Sequence, residues 1–287
     1  EYMETSISVR ELVEFLEKSG DLDSRYTGRR ETKAMQAGSR LHRKIQGRMG
    51  SGYHAEVPLK LLQDLGDVVL ILEGRADGIW TDEDVTVVDE IKGTYRNIWQ
   101  MECPERVHLA QAKCYAYVYA LQNHLPRIRT RMVYADLETE ELRFFTEEYE
   151  WEVLKDWFSD LVERYHKWLS FQSEWKEHRE TSLKMLQFPY TYREGQKDLA
   201  ASVYRSILRK KRLFIQAPTG VGKTLSTLFP ALKAVGEGLG DKIFYLTART
   251  ITRTVAADTL DLLRKQGIRA KSVVLTAKEK LCVCEEV

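Results

Sequence analysis

The sequence predicts an α/β protein in two parts: a small α+β domain, then a segment in which strands and helices alternate as in a parallel sheet. Three observations carry this expectation. Strand-like runs cluster between residues 54 and 92 with helical periods on either side. A long helical pattern with a continuous apolar seam follows. Beyond residue 187, short apolar runs alternate with helical stretches.

At 287 residues the chain is long enough for two cores. Its 43% hydrophobic and 30% charged residues are ordinary for a globular protein. No apolar run approaches the roughly 20 residues that span a bilayer, so no membrane association is expected. The N-terminus, EYMETSISVRELVEFLEKSGDLD, is acidic and amphipathic, unlike a secretory signal. Four cysteines argue against a disulfide framework, and a cytoplasmic setting is expected. A net charge of +1 gives no global attraction to nucleic acid; any such binding must come from local basic patches.

Residues 7–18 have helical period, with Ile7, Leu12, Phe15 and Leu16 on one side. A second helix is expected from about Glu31 to Arg48, with Ala34, Ala37, Leu41 and Ile45 as its stripe, until GRMGSG breaks the pattern. His54–Leu62, Val68–Trp80 and Val85–Lys92 read as an antiparallel meander, separated by the turn signals DLG and TDED. Helix 106–123 and strands Ile128–Tyr134 and Glu140–Phe145 complete the α+β domain. A long helix over roughly 148–178 places Trp151, Leu154, Phe158, Leu161, Tyr165 and Trp168 on one seam, which reads as helix packing rather than base stacking. The pattern stops around QFPYTYRE, so the domains are expected to be 1–187 and 188–287. In the second, helices 195–210, 223–235 and 251–266 alternate with strands Leu213–Ala217, Lys242–Leu246 and Ser272–Leu275.

APTGVGKT (217–224) follows the apolar run LFIQ and opens a helix, the setting a phosphate-binding loop requires. The backbone N–H groups around Thr219, Gly220 and Gly222 can close on phosphate oxygens at a helix N-terminus. Lys223 would reach the β- and γ-phosphates of ATP, and Thr224 would ligate Mg2+. With alanine in place of the usual first glycine, the motif resembles motif I of superfamily 2 helicases. FPYTYREGQ is similar to the segment ahead of this loop in helicases of the XPD/DinG type, which implies that Gln196 contacts adenine. FYLTART (244–250) resembles their motif Ia, a DNA-backbone contact. TAKEKLC resembles the stretch carrying the first cysteine of their 4Fe-4S cluster, which implies that role for Cys282; Cys284 has no counterpart. The resemblance covers about residues 188–287 and lacks the acidic motif and the second motor domain. The chain is therefore expected to be an N-terminal piece of a larger helicase, binding nucleotide weakly without turning ATP over.

TVVDEIKG (86–93) reads as a strand interrupted by Asp89, Glu90 and Lys92. Side chains alternate along a strand, so Glu90 and Lys92 share a face and Asp89 points away, a bystander. Asp77, in LEGRADGIW, also lies inside a strand-like run, and an antiparallel neighbour could bring it beside Glu90. Two carboxylates and a lysine on adjacent strands suit a hard cation; an exposed edge strand with a salt bridge is the structural alternative.

The set D…E-x-K resembles the PD-(D/E)xK nucleases, most closely their RecB-like branch, over about residues 30–147. GSRLH (38–42), GRAD (74–77), EIK (90–92) and QAKCY (111–115) match four of that branch's motifs in order. The resemblance implies that His42, Asp77 and Glu90 hold Mg2+ or Mn2+, that Lys92 orients the attacking water or stabilises the transition state, and that Gln111 and Tyr115 fix Lys92 and the DNA strand. Cys103 and Cys114 are poorly placed for the cluster some relatives carry. Arg40, Arg43, Lys44, Arg48 and Arg96 are candidates for phosphate contacts, or an ordinary solvated surface. The leading expectation is an ATP-dependent DNA helicase with a metal-dependent nuclease domain, acting in repair on DNA with single-stranded character. A helicase whose N-terminal domain binds DNA without cleaving it is the alternative. A nucleotide hydrolase unrelated to nucleic acid leaves the nuclease-like motifs unexplained.

Overall fold

A computed structural model of the protein describes residues 3–20, 29–218, 220–247 and 250–277. The chain divides into two compact units, Glu1–Leu169 and Ser170–Val287. Among the described residues, no helix is long and apolar enough to cross a membrane.

The first unit is built on one mixed sheet. Its elements are β1 (Met3–Ser8), α1 (Val9–Glu17), α2 (Arg29–Gln46), β2 (His54–Asp64), β3 (Val68–Asp82), β4 (Val85–Thr94), α3 (Arg106–Asn123), β5 (Arg127–Asp136), β6 (Leu142–Glu150) and the start of α4 (Trp151–Lys184). The expected meander is present: β2–β3 and β3–β4 are antiparallel. β5 lies parallel to β4, and β6 closes the far edge antiparallel to β5.

Residues 3–8 were not expected to be a strand. They pair parallel with Val68–Glu73, and the helix expected over 7–18 begins at Val9. The cause is a capping box: Ser8 Oγ accepts from Glu11 N at 3.1 Å and Glu11 Oε2 accepts from Ser8 N at 3.2 Å. That reciprocal cap fixes where strand ends and helix starts.

β3 carries the geometry that matters for function. β2 lines one edge from Val69 to Ile79, so β1 and β4 must share the other. β1 takes residues 68–73 and β4 takes 78–82, leaving Gly74–Asp77 on that edge without a strand partner. The β2–β3 ladder also skips the position joining Glu56 to Asp77, where Glu56 adopts a left-handed φ of 55°. GRAD therefore lies where the sheet forks.

Helices cover both faces of the sheet. α3 and α4 pack over Tyr117, Phe158, Leu154 and Leu161, and Tyr117 stacks on Phe158 at 3.9 Å. On the seam expected for the long helix, Leu154, Phe158, Leu161 and Tyr165 are buried and Trp168 is 38% exposed. α2 packs Leu41 and Ile45 on Ile91, Val133 and Ala135, the face of β4 opposite Glu90.

In the second unit, the later part of α4 is followed by α5 (Gln196–Leu208), α6 (Lys223–Gly236) and α7 (Thr250–Arg264). Leu183, Leu186, Leu232, Val235, Leu263 and Ile268 form its core. The strands expected at 213–217, 242–246 and 272–275 do not form: these residues have no strand pairing, and Phe214, Phe244, Leu246 and Leu275 are exposed. An apolar run encodes a tendency to be buried. A strand also needs a neighbour for its backbone groups, and that partner is not specified by the run itself.

Candidate functional site

The fork in the sheet brings the nuclease-like residues together. The β3–β4 ladder ends at Gly78↔Asp89, which leaves Asp77 next to Glu90. Asp77 spans the gap, its Oδ2 accepting from Ile91 N at 2.6 Å. Glu90 and Lys92 share one face, with Lys92 Nζ 2.7 Å from Glu90 Oε1. Lys92 Nζ also donates to Gln111 Oε1 at 3.2 Å, and Gln111 Nε2 donates to Tyr115 OH at 3.3 Å. EIK on β4 and QAKCY on α3 thus form one chain of contacts that limits where the ammonium can go.

A glycine makes room for this chain. A Cβ at Gly74 would lie 2.5 Å from Tyr115 Cε1, so Tyr115 reaches Gln111 only because position 74 lacks a side chain. On the other side of β4, a Cβ at Gly93 would stand 3.5 Å from Gly38 Cα and 2.7 Å from Leu137 Cδ2, so GSRLH in α2 packs close to the end of the EIK strand.

Electrostatically the site is unfavourable as it stands. Glu90 is 1% exposed. Burial and the Asp77 charge push its carboxyl up to about 8, against the opposing pull of Lys92. Asp77 is likewise raised, chiefly by burial, while His42 acts in the opposite sense. Glu90 Oε2 is buried with no hydrogen-bond partner. A buried carboxylate oxygen left unsatisfied costs stability, which is tolerable where a ligand later completes it. Burial and Glu90 together push the Tyr115 hydroxyl up to about 12, so it stays protonated.

His42 approaches Asp77. Its Nδ1 is 3.7 Å from Asp77 Oδ1, reached from α2 on the opposite face of β4. Among the described residues no group of three or more His, Cys, Asp or Glu side chains is arranged to hold a metal ion. The expected trio His42, Asp77 and Glu90 is thus not a ready-made cage. The donors that fit a hard cation are the half-buried Asp77 carboxylate and the buried Glu90, whose Oε2 is unmatched. Sequence reasoning missed Gln46, whose Nε2 donates to Asp77 O at 2.9 Å and Glu56 Oε1 at 3.0 Å where the β2–β3 ladder is broken. Its spacing of one helical turn from His42 was the available signal.

Asp89 points away from Glu90, as strand alternation requires, but it is not idle. It is fully buried and takes a bidentate pair from Arg131, Nε to Oδ1 at 2.9 Å and Nη2 to Oδ2 at 2.6 Å. The guanidinium lies 4.9 Å from the Trp80 ring and 5.4 Å from Phe144. Of the basic candidates, Lys44 pairs with Glu140 and Arg96 with Glu105. Arg40, Arg43 and Arg48 are exposed in and just after α2.

In the second unit, Gly220 and Gly222 adopt φ of 88° and 77°, the left-handed turn a phosphate loop needs ahead of α6. Thr219 lies outside the described residues. Lys223 Nζ folds back on the loop, donating to Ala217 O at 2.9 Å and Pro218 O at 2.8 Å. Gln196 is buried; its Oε1 accepts from Arg193 N at 3.0 Å, and its Nε2 would lie 2.6 Å from a Cβ at Gly222. Tyr190, Thr191, Arg193, Gln196, Gly222 and Leu225 line a pocket of about 350 Å³. The glutamine and the loop thus share one cavity. Tyr245 OH lies 3.5 Å from Thr224 Oγ1. Residues 248–249 of FYLTART, and Cys282, lie outside the described residues.

Comparison with known proteins bears on the second unit. Residues 197–282 match the DEAD/DEAH box helicase family. A 46-residue stretch is 52% identical to a protein named probable ATP-dependent helicase MJ0942, from Methanocaldococcus jannaschii. That match covers 16% of this chain and only 7% of the relative's length. These findings support a superfamily 2 helicase segment with ATP as its nucleotide. A solved structure titled crystal structure of SSO0001 superposes on 55% of this chain and 74% of its own, at 18% identity and a TM-score of 0.38, too loosely to bear on the fold.

Proposed function

We propose that the chain belongs to an ATP-dependent DNA helicase of the XPD/DinG type whose N-terminal domain, residues 1–187, is a PD-(D/E)xK nuclease processing DNA with single-stranded character, as in repair. The observation that carries the nuclease half is the unmatched Oε2 of buried Glu90, next to Asp77 in the sheet and paired through its other oxygen with an anchored Lys92. A protein keeps such a costly arrangement where a ligand completes it. Mg2+ or Mn2+ held by Asp77 and Glu90 would supply charge neutralisation at the scissile phosphate and a more acidic bound water. Lys92, fixed by Glu90 and Gln111, directs a positive charge to the reacting phosphate. Tyr115 and Gln111 hold that lysine. Arg40, Arg43 and Arg48 offer non-specific phosphate contacts.

The motor half, residues 188–287, binds ATP between Gln196 and the phosphate loop. Lys223, now on the loop carbonyls, would hold the β- and γ-phosphates, and Thr224 would ligate Mg2+. Cys282 would be one ligand if an iron–sulfur cluster is bound.

One observation favours a second reading, a DNA-binding platform without cleavage: no three-ligand metal site is assembled among the described residues. Mn2+-dependent cleavage of single-stranded DNA by the wild type and by Lys92→Ala separates them. Cleavage lost in the variant supports the nuclease. Tight DNA binding with no cleavage by either protein supports the platform.

A further inference from the structure

α3 presents more to the site than its QAKCY motif. His108, Gln111 and Tyr115 lie three and four residues apart, so they fall on one stripe of the helix. Gln111 on that stripe accepts from Lys92. His108 sits one turn closer to the helix N-terminus, with its side chain 25% exposed and so reachable from solvent.

The ring is held by a defined network. Tyr134, 1% exposed, accepts from Glu105 N at 2.9 Å through its hydroxyl, which lies 3.0 Å from His108 Nδ1. A hydroxyl that already accepts a backbone N–H has its own proton free, and the imidazole Nδ1 is the acceptor in reach. That arrangement puts the ring proton on Nε2.

We propose that His108 is a further substrate-contacting residue of the Glu90–Lys92 site, its Nε2–H donating to a phosphate oxygen of the bound DNA strand. The inference rests on the nuclease reading and adds to it a neutral donor beside the lysine. The surroundings keep the donor uncharged. Burial, then the positive charges of Lys92 on β4, Arg10 on α1 and Arg96 after β4, push the imidazole down to about 4; Glu14 on α1 opposes them weakly. Glu105 Oε2 lies 3.6 Å from Nδ1. A neutral Nε2–H keeps its direction across the working pH range, where an imidazolium would add a fourth cation to Lys92, Arg10 and Arg96. Tyr134 is then a positioning residue, acting through the ring.

Two measurements on the full chain test this. The first uses ¹⁵N-histidine spectra in EDTA, so that no cleavage intervenes. The wild type should show His108 as the neutral Nε2–H tautomer near pH 7, and Tyr134→Phe should show a mixture. Addition of oligo(dT) should shift the Nε2–H resonance. A protonated ring, the Nδ1–H tautomer, or a resonance unmoved at saturating oligo(dT) overturns the proposal, as does failure to bind oligo(dT) at all.

The second measures Mn2+-dependent cleavage. His108→Ala should lower kcat about 100-fold, the usual effect of removing one transition-state donor. His108→Gln, which keeps a side-chain N–H, should recover part of that loss, and KM should change little. Matching thermal unfolding curves exclude a folding defect. A wild type that cleaves equally with His108→Ala overturns the proposal and leaves the nuclease reading standing. A wild type that never cleaves, with the Nε2–H resonance still shifted by oligo(dT), overturns the nuclease reading and keeps His108 as a strand contact.

Discussion

Replacing Glu90 with glutamine should stabilise the metal-free protein at alkaline pH while abolishing cleavage. Glu90 is wholly buried and its carboxyl is raised from 4.5 to about 8 by burial and Asp77. The sign follows from proton binding. Between pH 4.5 and 8 the unfolded chain has released this proton and the folded chain has kept it, so stability falls as pH rises through that window. At about 1.4 kcal/mol for each pH unit, the folded state loses roughly 5 kcal/mol by pH 8. Glutamine has the carboxyl's shape and no charge to bury, so the variant should match the wild type at pH 5 and exceed it by several kcal/mol at pH 9. Urea unfolding of both proteins in EDTA from pH 5 to 9 provides the comparison. Mn2+ should then narrow the gap by stabilising the wild type alone. Curves that run parallel across the whole range would refute the reasoning, because Glu90 would then titrate alike in folded and unfolded chains.

Other perturbations probe the surroundings. Gly74→Ala forces a Cβ to within 2.5 Å of the Tyr115 ring; thermal unfolding should reveal a loss of about 1–3 kcal/mol, and cleavage should fall with it. Arg131→Ala strands the buried Asp89 carboxylate, for which a loss of about 3–5 kcal/mol is expected in urea titrations; an unchanged midpoint would show that Asp89 is not held by this pair. Lys223→Ala should abolish binding of a fluorescent ATP analogue yet leave DNA cleavage intact, and equal nucleotide affinity in both proteins would exclude Lys223 from the phosphate site. Gly222→Ala should weaken the same binding, since φ of 77° and Gln196 both oppose a Cβ there.

Much of the first unit was legible because its signals are local. Period and turn residues give β2, β3, β4 and α3 nearly to the residue, since alternation, DLG, TDED and the helical stripe each act within a few positions. The missed strand, residues 3–8, has no such signal: it is held by parallel pairing with Val68–Glu73, more than sixty residues away, and ended by the Ser8–Glu11 cap. Apolar periodicity assigned Ile7 to a helix because one stripe residue adjoining a real helix looks like its first turn. The three apolar runs of the second unit show the converse. Their composition is that of strands, yet pairing depends on partners that composition does not name.

The sequence alone determined which residue types could serve a site and on which face of a strand they lie. Glu90 and Lys92 had to share a face and Asp89 had to oppose them, because side chains alternate. The glycines of TGVGKT likewise had to provide a left-handed turn before α6. Tertiary structure decided the rest. The fork between β1 and β4 set Asp77 beside Glu90, and Gly74 admitted Tyr115 so that α3 could anchor Lys92. Packing of α2 on the opposite face set His42 3.7 Å from the Asp77 carboxylate. Asp89 gained Arg131 from β5, and His108 gained Tyr134. Each of these depends on which distant segments meet across the sheet, information carried by the packing of the whole domain and by no short stretch of it.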